Sequence, residues 1–252
     1  MVIAIIALLM SILMPALSKV KKQAQSVTCQ ATLKQWSLIF TMYANDNNYK
    51  LATPYNRDGW WLELTRAYVK NVIQDGRAEE HELYFCPMAT KPWPGAGAPV
   101  SPYYYEYQNQ GIEYTASYGI NAWVYDPPDA GNYQDRPGES MWRTLNPKGG
   151  SNIPLLTAAF HGGGCPADAD QPPQYDGEPW PGGHNNEMRR FCLDRHQGFV
   201  NVLFLDASMQ RVGLKQLWTL KWHRTYDVTG IWTQAGGVAA TDWPQWMRRF
   251  KD

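Results

Sequence analysis

His161, His184, His196 and His223, with Asp194 and Asp206, are the side chains best suited to proton or metal chemistry in this 252-residue chain. None sits in a spacing that builds a site locally, since no H-x-x-x-H or H-E-x-x-H occurs. No G-x-S-x-G elbow, Walker loop or G-x-G-x-x-G turn is present either. The pattern argues against an enzyme. A second set, Asp168, Asp170, Asp176 and Glu178, lies in one loop and offers hard oxygens to Ca²⁺, although its spacing is not that of an EF-hand. Calcium is therefore the one cofactor the residues suggest, against the simpler reading of a solvated acidic loop. Four cysteines, Cys29, Cys86, Cys165 and Cys192, lack any C-x-x-C spacing. They permit two disulfides in an oxidising compartment, with Cys29–Cys86 and Cys165–Cys192 one of three connectivities, or four buried thiols.

Aromatic side chains suggest a different chemistry. The chain holds 12 Trp and 15 Tyr, enough to ask whether rings form a sugar-stacking face. Trp60, Trp61, Tyr103, Tyr104, Tyr105, Trp180, Trp218 and Trp222 are the candidates, and a membrane-tethered carbohydrate- or surface-binding module is the alternative function. In a loop-rich domain such rings also pin loops to the core. Formal net charge is zero, which gives no reason to expect nucleic acid as a partner. Arg189, Arg190 and Arg195 form a small basic patch suited to a neighbouring subunit or an acidic partner.

The elements that position these residues begin with the first 48. Val2 to Leu17 is apolar except for Ser11 and Pro15, and Lys19, Lys21 and Lys22 follow as a basic collar. No Asp or Glu occurs before Asp46 and no Gly before Gly59. One helix from Val2 to about Asn45 is expected, with Val2, Ile3, Ile5, Ile6, Leu8, Leu9, Leu13 and Pro15 in a membrane or filament core. The run falls short of the roughly 20 residues that cross a bilayer. The apolar positions then narrow to Cys29, Leu33, Trp36, Phe40 and Tyr43, spaced 4, 3, 4, 3, a stripe that docks the second half onto a domain. About half of the helix should protrude.

Residues 49–252 read as one soluble α+β domain. A short helix is expected over Trp60–Val72, a strand over Leu83–Cys86, and a strand pair within Tyr114–Tyr125 turning or bulging at Gly119. A buried strand is expected over Ile153–Phe160. Asn201–Leu205 and Met209–Val212 read as a hairpin around Asp206, and Leu214–Trp222 as a short helix or last strand. Residues 87–102, 126–152 and 161–186 are loops.

The stretches VIAIIALL, MPALSKVKKQA, Cys29, Leu33-Lys34-Gln35 and Met42-Tyr43-Ala44-Asn45-Asp46-Asn47 resemble the N-terminal region of prepilin-type proteins. With Phe85-Cys86-Pro87, Ser117-Tyr118-Gly119-Ile120-Asn121, and His196 followed by Asp206, the chain looks like the type II secretion pseudopilin-like family with a C-terminal H-x9-D-G motif. That family is abundant in planctomycete-type bacteria. The resemblance implies a pilin-like fold, a long N-terminal helix packed on a small antiparallel sheet with long loop insertions. It implies a structural subunit of a type II secretion or type IV pilus-like filament, with other pilin-like subunits as partners. The parent would be a single-pass inner-membrane protein with its domain in the periplasm or outside the cell, handled by a prepilin peptidase and an assembly platform. Two departures stand out. The Gly-Phe-Thr-Leu-Ile-Glu processing site of the family is absent ahead of Val2. The lysine collar alone would keep the domain cytoplasmic, which a basic leader would reverse. Asp206 is followed by Ala207 where the family has glycine, so the hairpin turn should differ or bulge.

Overall fold

The computed structural model of the chain describes residues 2–51, 60–72, 82–89, 99–107, 112–127, 136–180 and 182–251. Helix α1 runs Val2–Asp46 with Pro15 inside it. At ~1.5 Å per residue it is roughly 68 Å long. It closes where Asn48 and Tyr49 take positive φ. Helix α2 is Trp60–Val72 and packs on α1. Strands β1 (Tyr103–Tyr107) and β2 (Ile112–Ala116) form an antiparallel hairpin of their own. The main sheet has the order β5-β3-β4-β6-β7, from β3 (Tyr118–Asn121), β4 (Pro154–Ala158), β5 (Gly163–Gly164), β6 (Phe199–Phe204) and β7 (Met209–Gly213). All of its pairings are antiparallel except β3 with β5. The class is α+β, with α1 lying on β6 and β7.

Docking of α1 begins at Gln25, whose side chain donates to the Pro87 carbonyl at 3.2 Å. Cys29, Leu33, Trp36 and Phe40 are buried, and Tyr43 is half-buried at the edge of the core. Polar bonds register the contact: Gln30 donates to Asn201 at 3.1 Å, Asn201 to the Ser26 carbonyl at 3.2 Å, and Lys34 to the Ala207 carbonyl at 3.0 Å. Trp36 lies between Phe40, Trp61 and Tyr84, at centroid distances of 6.1, 4.9 and 5.6 Å. Its indole donates to the Leu83 carbonyl at 2.7 Å.

Several local expectations need correction. Residues 83–86 do not form a strand; Glu82–Tyr84 is a 3-10 turn. The Leu83 carbonyl there accepts from Trp36, so the segment serves α1 as a cap on the ring cluster. The break between β2 and β3 falls at Ser117, whose N–H donates to the Tyr84 carbonyl at 2.9 Å. Gly119 stands inside β3 because the neighbouring backbone is close: a Cβ there would meet the His161 carbonyl oxygen at 2.5 Å. Within Leu214–Trp222 the ordered element is the 3-10 turn Lys215–Thr219. β6 is covered on both faces, which leaves no alternation from Val200 to Phe204.

The β6–β7 turn shows how alanine is accommodated after Asp206. Asp206 accepts from the Ser208 N–H at 2.9 Å through its side chain, an Asx-type closure. Ala207 sits at φ 64°, a left-handed conformation that costs a non-glycine residue about 1 kcal/mol.

Candidate functional site

Two features stand out as candidates, and both belong to α1. The first is its unpartnered half. From residue 9 to residue 24 every side chain is exposed. Among the described side chains Ile6, Met10, Leu13, Leu17, Val20 and Val27 are each between 50% and 69% exposed. Their spacing is 4, 3, 4, 3, 7, a heptad seam of the kind that packs against parallel or antiparallel helices. Val27 and Cys29 are two residues apart, about 200° around the helix. The seam therefore faces away from the domain that Cys29 and Trp36 bind. Leu38, 11 residues beyond Val27, continues it and is exposed on the outer side. The side chains of Val2, Ile5 and Leu8 lie outside the described ones. Among the described residues no helix is long and apolar enough to cross a membrane.

The second feature is a buried cluster beneath α1. Cys29 comes from the docked face of the helix. Cys86 follows the 3-10 turn and is fixed by its N–H to the Ser117 hydroxyl at 2.6 Å. His196 sits in the bend before β6, where its carbonyl accepts from Arg211 at 3.2 Å. Sγ of Cys29, Sγ of Cys86 and a ring nitrogen of His196 lie within 4.8 Å of one another. Nε2 of His196 is 3.3 Å from Cys86 Sγ, and the Tyr118 hydroxyl is 3.3 Å from Cys29 Sγ. The hydrogen bond from Cys29, with His196 and Arg195 nearby, holds the Cys86 thiol well below its ordinary range. Burial pushes Cys29 the other way. Beside His196 opens a cleft of about 450 Å³ lined by Lys19, Lys22, Gln30, Arg195 and Arg211.

Comparison with known protein families, curated proteins and solved structures finds no match.

The remaining sequence candidates are placed elsewhere, and most serve the fold. All four cysteines are free, buried thiols, the second of the two readings the sequence left open, and neither Cys29–Cys86 nor Cys165–Cys192 is paired. The histidines and aspartates do not converge. His161 stacks near Tyr103, His184 bonds to Arg136, His223 leans on Trp123, and Asp194 accepts from the Gly198 N–H. The acidic loop forms no cation cage among the described residues, and three of its four carboxylates are engaged by backbone and arginine. Asp170 accepts from the N–H groups of Ala167, Asn186 and Met188. Asp176 accepts from Asp194 N–H, and Glu178 takes Gln174 N–H and Arg189. Asp168 stands apart from this backbone network, near His223 and Tyr226.

The arginine patch is largely internal for the same reason. Arg190 and Arg195 are buried, and Arg195 donates to the carbonyls of Pro99, Ser117 and Ser101. Among the described side chains the candidate sugar-stacking rings do not share one exposed face either. Trp61, Trp218 and Trp222 are buried, with their indoles bonded to the carbonyls of Gly162, Asp170 and Leu217. Tyr103 is buried, Trp180 is half-buried beneath Arg190, and Tyr104 alone of the described candidates is exposed. The side chains of Trp60 and Tyr105 lie outside the described ones.

The loop carboxylates and His223 make a pH prediction. Burial raises Asp170 to about 6 against its three N–H donors, and lowers His223 to about 4. The stabilising contribution of Asp170 is present below its unfolded value near 3.8 and is lost as pH rises through about 6. That of His223 is present above 6.5 and is lost as pH falls through about 4. Between pH 7 and pH 4.5 each is worth about 2 kcal/mol, with opposite sign. Urea titrations at the two pH values should show His223→Gln gaining about 2 kcal/mol relative to wild type on acidification. Asp170→Asn should lose about the same.

Proposed function

We propose that this protein is a structural subunit that assembles through its N-terminal helix, a pseudopilin- or type IV pilin-like component of a secretion or pilus-like filament. One observation carries the reading: α1 presents an exposed apolar heptad seam on the side opposite the face bound to the domain. Helices packed seam to seam would form a core, and the domains would stand outside it. The resemblance of VIAIIALL through MYANDN to prepilin-type segments supports the same arrangement.

The energetics favour copies of the chain as the occupant. Each buried Leu, Ile or Met contributes roughly 1.5–3 kcal/mol. Identical seams supply that along an open, repeating interface. Before assembly the same run would lie against inner-membrane lipid, with Lys19, Lys21 and Lys22 at the headgroups and the domain beyond the membrane. No step of this function needs a catalytic residue. The test is to purify the chain in detergent, remove the detergent, and follow mass by sedimentation and negative-stain microscopy. Rods or large ordered oligomers are the expected result. A monodisperse monomer free of detergent would overturn the proposal.

A further inference from the structure

We infer that Cys29, Cys86 and His196 form a metal site for a soft d¹⁰ cation, with zinc(II) as the reference ion. Two sulfurs and one imidazole are the donor set that zinc takes from proteins, and thiolates disfavour Mg²⁺ and Ca²⁺. The geometry is close to that of a loaded site. Zn–S bonds of about 2.3 Å and Zn–N bonds of about 2.0–2.1 Å in a tetrahedron separate sulfur and nitrogen by about 3.5 Å. Cys86 Sγ and His196 Nε2 stand 3.3 Å apart, and all three donors fit within 4.8 Å.

The surroundings fit a bound cation better than a disulfide. A disulfide would use the two sulfurs and give the converging imidazole no role. Nδ1 of His196 has no hydrogen-bond partner, so no neighbour holds the ring in a tautomer that would block Nε2. The Tyr118 hydroxyl bonds to the Cys29 sulfur, the kind of outer contact that orients a thiolate ligand. All three donors are buried. Three protein donors leave one of zinc's four positions for a small ligand.

The ligands come from α1, from the segment after the 3-10 turn, and from the approach to β6. A cation there would clamp the helix to the domain at the level where docking begins. This inference stands apart from the assembly reading, because it concerns the docked half of the helix.

The test uses the full chain in mild detergent under reducing conditions. Elemental analysis should find about one zinc per chain, falling at least tenfold in Cys86→Ser and His196→Ala. Cobalt(II) titration of the wild-type chain should give thiolate-to-cobalt charge-transfer absorption in the near ultraviolet, which keeps the test independent of whether the variants fold. A chelator should lower the melting temperature of wild type and leave His196→Ala unmoved. Absence of both zinc and the cobalt band would overturn the inference. So would retention of zinc by a folded His196→Ala, or recovery of a Cys29–Cys86 disulfide in metal-free chain purified without reductant.

Discussion

Replacing Leu9, Leu13 and Leu17 by glutamine should abolish assembly and leave the domain as stable as before. The three side chains are 54%, 62% and 69% exposed, and none belongs to the buried core. In the free subunit their removal takes away no packing, so the domain's urea midpoint should hold to within about 0.5 kcal/mol. In a bundle each would be buried. Losing three costs about 4–9 kcal/mol per subunit, at least a thousandfold in association. Sedimentation without detergent should therefore change from large species to monomer, with near-identical far-ultraviolet dichroism. A variant that still assembles would place the contacts on another surface. A variant that loses domain stability would mean that this half of α1 folds onto its own chain. Leu38→Gln is the graded control, since Leu38 is 59% exposed on the same side and lies beyond the apolar run. It should weaken assembly by tenfold or so, equivalent to about 1.4 kcal/mol.

What made α1 readable in advance was a local property of its residues. A stretch without glycine or acid, followed by a 4, 3, 4, 3 apolar stripe, constrains a helix and its buried face with no knowledge of the partner. The β6–β7 hairpin was readable for the same reason, because Asp206, Ala207 and Ser208 supply the turn chemistry between two β-prone runs. Elsewhere distant residues decided the outcome. Leu83 to Cys86 has strand composition, yet the Leu83 carbonyl is taken by Trp36, 47 positions earlier. Tyr114 to Asn121 divides between two sheets at Ser117, whose carbonyl accepts from Arg195, 78 positions later. Trp61, Trp218 and Trp222 could have been a binding face or core in any sequence reading. Buried carbonyls that accept their indole N–H groups decided it. The cysteine–histidine cluster was hidden by separation alone, since Cys86 and His196 are 110 positions apart. His196 was visible as half of a motif and Cys29 as part of a stripe. Only the sheet, with α1 laid across β6, brings them to one point.

Trp36→Ala should be the most damaging single substitution on the docked half of α1. Its ring is fully buried among Phe40, Trp61 and Tyr84, and its N–H is the bond that ties the helix to the 82–84 turn. Deleting a buried tryptophan costs about 3–5 kcal/mol, through lost transfer energy and the cavity that remains. Urea unfolding in the Leu9/Leu13/Leu17→Gln background should report that loss from the domain without interference from assembly. Trp36→Phe, which keeps most of the ring volume and drops the N–H, should recover more than half of it. The site matters beyond its own energy. Trp36 lies seven residues along the same face from Cys29, and Leu33 and Cys29 are buried by the same contact. If the docked half is one cooperative unit, amide exchange should speed up together from Gln25 to Ala44 when the ring is removed. The consequence for assembly is mechanical. A subunit whose helix is buried in a shared core holds its domain in a fixed orientation through this interface. In the proposed filament, weakening Trp36 should therefore disorder the domains around an intact core, whereas loss of the outer seam should give no filament. A loss of stability below about 1 kcal/mol in Trp36→Ala, the range of an ordinary surface change, would show that the domain does not depend on the helix it wraps.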